Sequence, residues 1–377
     1  MIWLKKNTNK KKTAEDIWAH FGPYYAMFPL SFAFDVINSF SKEEDVILDP
    51  FAGRFTSIYA GAVLKRHGIG IEINPVGWLF GQVKMHPASK DDVISRLLEI
   101  YKRRNYYKKK AINLPEFYHI CFCEEVLNFL LSARKNLNWK NNSVDATLMA
   151  FLLVYLHGKK GQSLSNQMRI TKSMGMDYSI AWWKKNGMEK PPQVNPYEYI
   201  LGRINWRYRK GVPNTDDSLA LLGDSTRELK KVSDSLKKQN KKISLLFTSP
   251  PYCAITDYYA DQWLRLWLLG GNEKLVYSKE KYKGRFEKQD EYYNLLDTVF
   301  SKCSELMSDN AVIYVRTDAR KFTLDTTLKV LKKNFPDYSI SKRINKLKKN
   351  SISQTVLYGN KSSKPAEVDI LMKRIKV

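Results

Sequence analysis

The chain has 377 residues, enough for a large core and for two domains or one domain with a big insertion. Its 63 Lys and Arg against 38 Asp and Glu leave a formal charge of +25, an excess that points to a polyanionic partner, most simply nucleic acid. No stretch approaches 18 uninterrupted apolar residues, and the first residues lack a signal-peptide core, so a membrane protein is not expected.

Four cysteines occur, and only Cys121 and Cys123 are close. A lone Cys-X-Cys without nearby His spacing is no zinc site, so no metal is expected. The expected setting is reducing and cytoplasmic.

Residues 1–12 are Lys- and Asn-rich and read as a solvated tail. Thr13 to Trp18 starts a helix, with acids in its first turn. An aromatic loop from His20 to Leu30 follows, and Ser31 to Phe40 is an apolar-periodic helix. Asp45 to Asp49 is a short strand with an acid at its C-terminal end. Pro50-Phe51-Ala52-Gly53-Arg54-Phe55-Thr56 and a helical run from Ser57 to Lys65 come next. Strand, Gly-containing turn and helix open a nucleotide-binding βαβ unit. Gly68 to Asn74 is the second strand and carries Glu72. The spacing from Asp49 to Glu72 matches the roughly 20 residues between a Gly-rich turn and a carboxylate that grips ribose hydroxyls.

Residues 86–215 change character. Bases and aromatics interleave in Tyr101–Lys110, Trp182–Lys185 and Trp206–Lys210, a pattern that suits phosphate contacts plus base stacking. An amphipathic helical region with solvated lysines is the other reading. Val144 to Leu156 is an apolar helix, and Pro191 to Pro196 an extended linker.

The α/β pattern resumes with a short apolar run ending at Asp224-Ser225. Ile243 to Thr248 is a buried strand that stops in Ser249-Pro250-Pro251-Tyr252. Two prolines fix φ twice and remove two N–H donors. Carbonyls, a hydroxyl and an aromatic ring remain, which suits a flat substrate that donates hydrogen bonds, such as a nucleobase amine. Asp257 to Leu269 reads as one apolar helix and 271–290 as a mobile loop. A strand from Asn310 to Asp318, a helix near Thr326 to Lys333, a strand from Tyr338 to Ile344 and an antiparallel strand from Val368 to Ile375 complete the pattern.

These residues resemble the S-adenosylmethionine-dependent amino-methyltransferases of DNA, in particular the N4-cytosine type of restriction–modification systems. Asp49-Pro50-Phe51-Ala52-Gly53 resembles the family's first cofactor motif, with Glu72 as the ribose-binding acid. Asp224, followed by Ser225, resembles the acid that meets the adenine amine, and Phe28-Pro29 the segment lining the methionine end. Ser249-Pro250-Pro251-Tyr252 matches the catalytic motif, in its Ser variant.

The resemblance implies a Rossmann-like class I methyltransferase sheet with a C-terminal antiparallel hairpin. It divides the chain into catalytic parts at 1–85 and 216–377 around a largely helical, target-recognising insertion at 86–215. It implies S-adenosylmethionine as cofactor, double-stranded DNA as partner, and a cognate restriction endonuclease as a possible companion. Ser249 and the Pro250 carbonyl would each accept an N–H of the target amine while Tyr252 stacks on the flipped base. Phe55 stands where the family has a second glycine. A Phe there either crowds the ligand or turns into the core. Three other functions share the pattern: adenine-N6 methylation of DNA, base methylation of RNA, and nucleic-acid binding without chemistry.

Overall fold

The computed structural model describes residues 13–24, 28–215, 218–253, 258–275, 288–345 and 366–375. Asp257 and most of the 271–290 loop lie outside them.

Among the described residues seven strands make one sheet: β1 (Val46–Asp49), β2 (His67–Glu72), β3 (Leu219–Leu222), β4 (Ile243–Thr248), β5 (Met307–Asp318), β6 (Tyr338–Asn345) and β7 (Glu367–Arg374). Their order is β3-β2-β1-β4-β5-β7-β6. β1 to β5 pair in parallel, and β7 runs antiparallel to both β5 and β6. The near-continuous apolar runs of β1 and β4 are buried on both faces, as a parallel strand requires. This is the Rossmann-like sheet with a C-terminal antiparallel pair that the sequence implied.

Helices cover both faces. Beneath one lie α12 (Ser225–Lys238), α15 (Gln289–Ser304) and α16 (Lys321–Asn334), sharing a core with Leu48, Leu246 and Ile313. The other face packs α2 (Leu30–Phe40), α3 (Thr56–Val63) and α4 (Pro75–Met85) onto Ile47, Leu245 and Phe247. That second core is continuous with α1 (Ala14–Ala19) and the helices of the 86–215 segment. They are α5 (Lys90–Lys102), α6 (Lys108–Ile112), α7 (Glu116–Cys121), α8 (Glu124–Asn136), α9 (Ser143–Tyr155), α10 (Met176–Lys185) and α11 (Pro196–Tyr208).

Several expected elements shift. The run from Ser57 to Lys65 starts at Thr56 and stops at Val63, because Lys65 takes a left-handed φ of 61°. The single helix expected up to Leu269 is two, α13 (Tyr258–Asp261) and α14 (Trp263–Leu268). They part at Gln262, whose side-chain amide donates to the Thr171 carbonyl at 2.9 Å. β5 starts three residues before Asn310, and α16 is longer than expected at both ends.

Phe55 turns into the core. It caps α3 in the left-handed region (φ 62°, ψ 37°), where a glycine would be unstrained, and its side chain is fully buried. A left-handed non-glycine costs about 1–2 kcal/mol, and burying a Phe ring returns about 1.5–3 kcal/mol. Room for the ring comes from Gly70 on β2 and Gly81 on α4, where an added Cβ would sit 2.5 and 2.2 Å from it. Gly81→Ala should therefore lower stability by about 1–3 kcal/mol through overpacking. A double-mutant cycle with Phe55→Ala should recover much of that loss in urea unfolding.

Candidate active site

β1 ends in Asp49, β2 in Glu72, and β4 runs straight into Ser249-Pro250-Pro251-Tyr252. β1 and β4 are neighbours, with β2 and β3 on one side and β5 on the other. The strand order thus reverses between β1 and β4, the place where open α/β sheets hold ligands beyond their carboxyl ends.

Asp49 is buried and wholly engaged. It accepts the Thr248 hydroxyl at 2.6 Å, the Phe51 N–H at 3.1 Å and the Ser57 hydroxyl. Burial pushes its carboxyl up to about 6 against the pull of these donors. Asp49 therefore fixes the site from beneath. Thr248 and Ser57, which sequence reasoning missed, share that task; their signal was a hydroxyl directly before Ser249 and another in the first turn of α3.

Glu72 stands at the next strand end. Its two oxygens accept the Gly53 N–H at 2.8 Å and the Asn74 N–H at 2.7 Å. Burial pushes its carboxyl up to about 8; the N–H donors of Asn74 and Gly53 pull the other way, and Asp49 adds to the rise. Gly53 takes φ 55°, and among the described residues a Cβ there would meet only the Tyr24 ring, at 3.9 Å. The backbone over this turn is thus open. Ala52 is buried, its N–H donating to the Ile71 carbonyl at 3.0 Å, and Phe51 is half-buried. Arg54 is buried beneath, donating to the Gly22 carbonyl at 3.0 Å and the Thr56 hydroxyl at 3.2 Å.

Asp224 caps α12, accepting the N–H and the hydroxyl of Thr226 at 2.9 and 2.8 Å. The Gly223 N–H donates to the Glu72 carbonyl at 3.0 Å, so the ends of β2 and β3 come together. Ser225 has a different task. It is buried, and its hydroxyl donates to the Pro50 carbonyl, tying α12 to the β1 turn.

Phe28 stacks on Phe247 of β4, ring centroids 4.8 Å apart at 16°, and the exposed Pro29 precedes α2. In the Ser249–Tyr252 turn, Pro250 is buried and the other three residues half-buried. Tyr292 lies beneath it. Its phenol is pushed up by burial first, against a pull from Thr327, with Cys253, Asp318 and Tyr252 adding to the rise. Among the described residues no three His, Cys, Asp or Glu side chains group to hold a metal. No described helix is long and apolar enough to cross a membrane.

The basic and aromatic runs divide between core and surface. Trp183, Arg207 and Tyr208 are buried, while Trp206, Arg209 and Lys210 are exposed, as is Tyr106.

Comparison with known proteins adds to this geometry. A family model described as DNA methylase matches residues 1–76. The Type II methyltransferase M.BsoBI of Geobacillus stearothermophilus is 24% identical over 302 residues, covering 71% of this chain and 58% of that protein. The Type II methyltransferase M.AvaI of Nostoc sp. is 25% identical over 279 residues, covering 67% and 55%. The chain spans little more than half the length of these relatives. Among solved structures, the rRNA methyltransferase aviRa of Streptomyces viridochromogenes aligns at 10% identity and a TM-score of 0.35, covering 95% of this chain and 89% of that one. TrmN of Thermus thermophilus aligns at 6% and 0.35, covering 95% and 52%. In sequence the chain is thus similar to a DNA methylase family and to two Type II methyltransferases, a likeness that fits S-adenosylmethionine as methyl donor.

Both raised carboxyls hold protons in the folded state that the unfolded chain has released. Stability should therefore fall as pH rises from the ordinary carboxylate range, about 4, through 6 for Asp49 and 8 for Glu72. Urea midpoints of Glu72→Gln should lose that slope between pH 6 and 8, by roughly 1 kcal/mol per pH unit at the steepest.

Proposed function

We propose that this relative of the DNA amino-methyltransferases methylates duplex DNA in a restriction–modification system, at the N4 amine of a cytosine turned out of the helix. One observation carries the reading. The Ser249–Tyr252 turn, an acceptor-rich tip with an aromatic, leaves β4 directly beside the open β1 turn, at the sheet's reversal point.

The residues suit the cofactor. Glu72 offers a carboxyl group for a ribose diol, Asp224 an acceptor for the adenine amine, and Phe28 an apolar wall. Gly53 leaves the turn clear for close approach. S-adenosylmethionine supplies a methyl group already activated on a sulfonium. The crowding that would have favoured binding without chemistry has no support here, since the Phe55 ring is packed between Gly70 and Gly81.

The chain's own residues address the poor nucleophilicity of an aromatic amine. The Ser249 hydroxyl oxygen and the Pro250 carbonyl each accept one N–H, which draws the nitrogen toward tetrahedral geometry and localises its lone pair. Positioning and fixed dipoles supply most of the barrier reduction. Tyr252 stacks on the base that has left the duplex. The 86–215 helices, with their exposed cations and aromatics, read the target sequence, and a cognate endonuclease recognises the same site.

Nucleoside mass spectrometry of duplex DNA incubated with the protein and S-adenosylmethionine tests this reading. N4-methylcytosine is the expected product; N6-methyladenine would replace the base, and a methylated RNA with unmodified DNA would replace the substrate. Tyr252→Ala should lose about 1–3 kcal/mol of base binding and cut methyl transfer accordingly. Its S-adenosylmethionine Kd should stay within twofold of the parent's in calorimetry.

A further inference from the structure

The segment 168–175, between α9 and α10, has no regular secondary structure, yet its backbone is held almost residue by residue. His157 Nδ1 meets the Arg169 carbonyl at 2.7 Å. Arg265 Nη2 donates to the Ile170 carbonyl at 2.7 Å and Gln262 Nε2 to that of Thr171 at 2.9 Å. Trp263 Nε1 donates to the Met174 carbonyl at 3.0 Å, and the Ser173 N–H to the Asp261 carbonyl at 2.7 Å. His157, Gln262, Trp263 and Arg265 are all buried. Three of the four belong to the stretch that follows Ser249–Tyr252. The loop is thus fixed from below by the catalytic side of the chain, and preorganised in a way a solvated loop is not.

Above this platform opens a cavity of about 280 Å³. Arg169, Lys172, Met174, Tyr178, Ala260 and Asp261 line it. Lys172 Nζ lies 3.5 Å from the Asp261 carboxylate, and Arg169 brings a second cation to the lining. Tyr178 stands at the rim of the cavity with 59% of its surface exposed. A guanidinium at a fixed pocket suits a phosphate, and an exposed ring beside it suits the face of a base.

We propose that this pocket takes one nucleotide of the DNA strand next to the reacting base, its phosphate on Arg169 and its base on Tyr178. The inference rests on the DNA-methyltransferase reading and deepens it. Binding here would bear on Ala260 and Asp261, within ten residues of Tyr252.

The test compares wild type, Arg169→Ala, Tyr178→Ala and a control, Lys238→Ala on α12 under the other face of the sheet. Duplex DNA affinity is followed across salt concentrations by fluorescence anisotropy, with melting temperature checking the fold and nucleoside mass spectrometry run on the same samples. Arg169→Ala should reduce the slope of log K against log salt by about 0.9, one phosphate contact. Tyr178→Ala should weaken binding about tenfold with the slope kept, and Lys238→Ala should change neither. If wild type methylates DNA while both pocket variants keep its affinity and slope, the pocket assignment fails alone. If wild type binds duplex but transfers no methyl group, the functional reading fails, and a reduced slope in Arg169→Ala would still uphold the pocket. Effects seen with duplex RNA and not with DNA would overturn the proposed partner, and a wild type that binds no duplex overturns both.

Discussion

A single buried carboxylate decides where everything else in the site can be. Asp49 sits at the end of β1 with neutral donors from three places: Thr248 of β4, Ser57 of α3, and the turn's own Phe51 N–H. A buried carboxylate is tolerated only when such donors replace its water. Because they come from separate elements, the cost of leaving any one unmade, about 1–3 kcal/mol, locks those elements together. Thr248 is the residue immediately before Ser249. The bond that satisfies Asp49 therefore sets the spacing between the β1 turn and the Pro-Pro turn.

The same turn shows how a departure from a family pattern can be absorbed. A bulky residue in a left-handed position is a local conflict. Here it is resolved at a distance, by two glycines on β2 and α4 that leave a slot for the Phe55 ring. The strain stays at the helix cap, and the backbone of Gly53, two residues earlier, remains open.

The frame of the protein was legible because buried parallel strands are written as short apolar runs, and three of those runs end in or beside an acid. Asp49, Glu72 and Asp224 all lie at strand ends, as read. Their division of labour was not legible. Whether an acid faces a ligand or a neighbouring hydroxyl depends on partners such as Ser57, whose side chain reaches Asp49 only once α3 has folded back on β1, and Ser225 spends its hydroxyl on Pro50 for the same kind of reason. The basic-aromatic runs do not say by themselves which of their side chains face outward. Read as strings they seem uniform, but on α11 the helical period carries Arg207 and Tyr208 into the core and leaves Trp206 outside. The break at Gln262 has no local signal in the sequence; Gln262 is buried there and its side chain donates to the Thr171 carbonyl at 2.9 Å.

Arg265 carries a consequence of its own. It is fully buried, its guanidinium donating to the Leu153 and Ile170 carbonyls and to Gln262 Oε1, and burial pulls it down to about 9. Two of those acceptors belong to the helical segment, although Arg265 itself follows the Pro-Pro turn. A segment that packed in the same place without those carbonyls would leave the buried cation short of two acceptors, at a cost of several kcal/mol. The helical region is therefore no interchangeable cassette. A chimera that exchanged 86–215 for the corresponding part of a relative would have to import a matching acceptor set for Arg265, so the helical segment and the sheet it packs on are expected to be inherited as one unit.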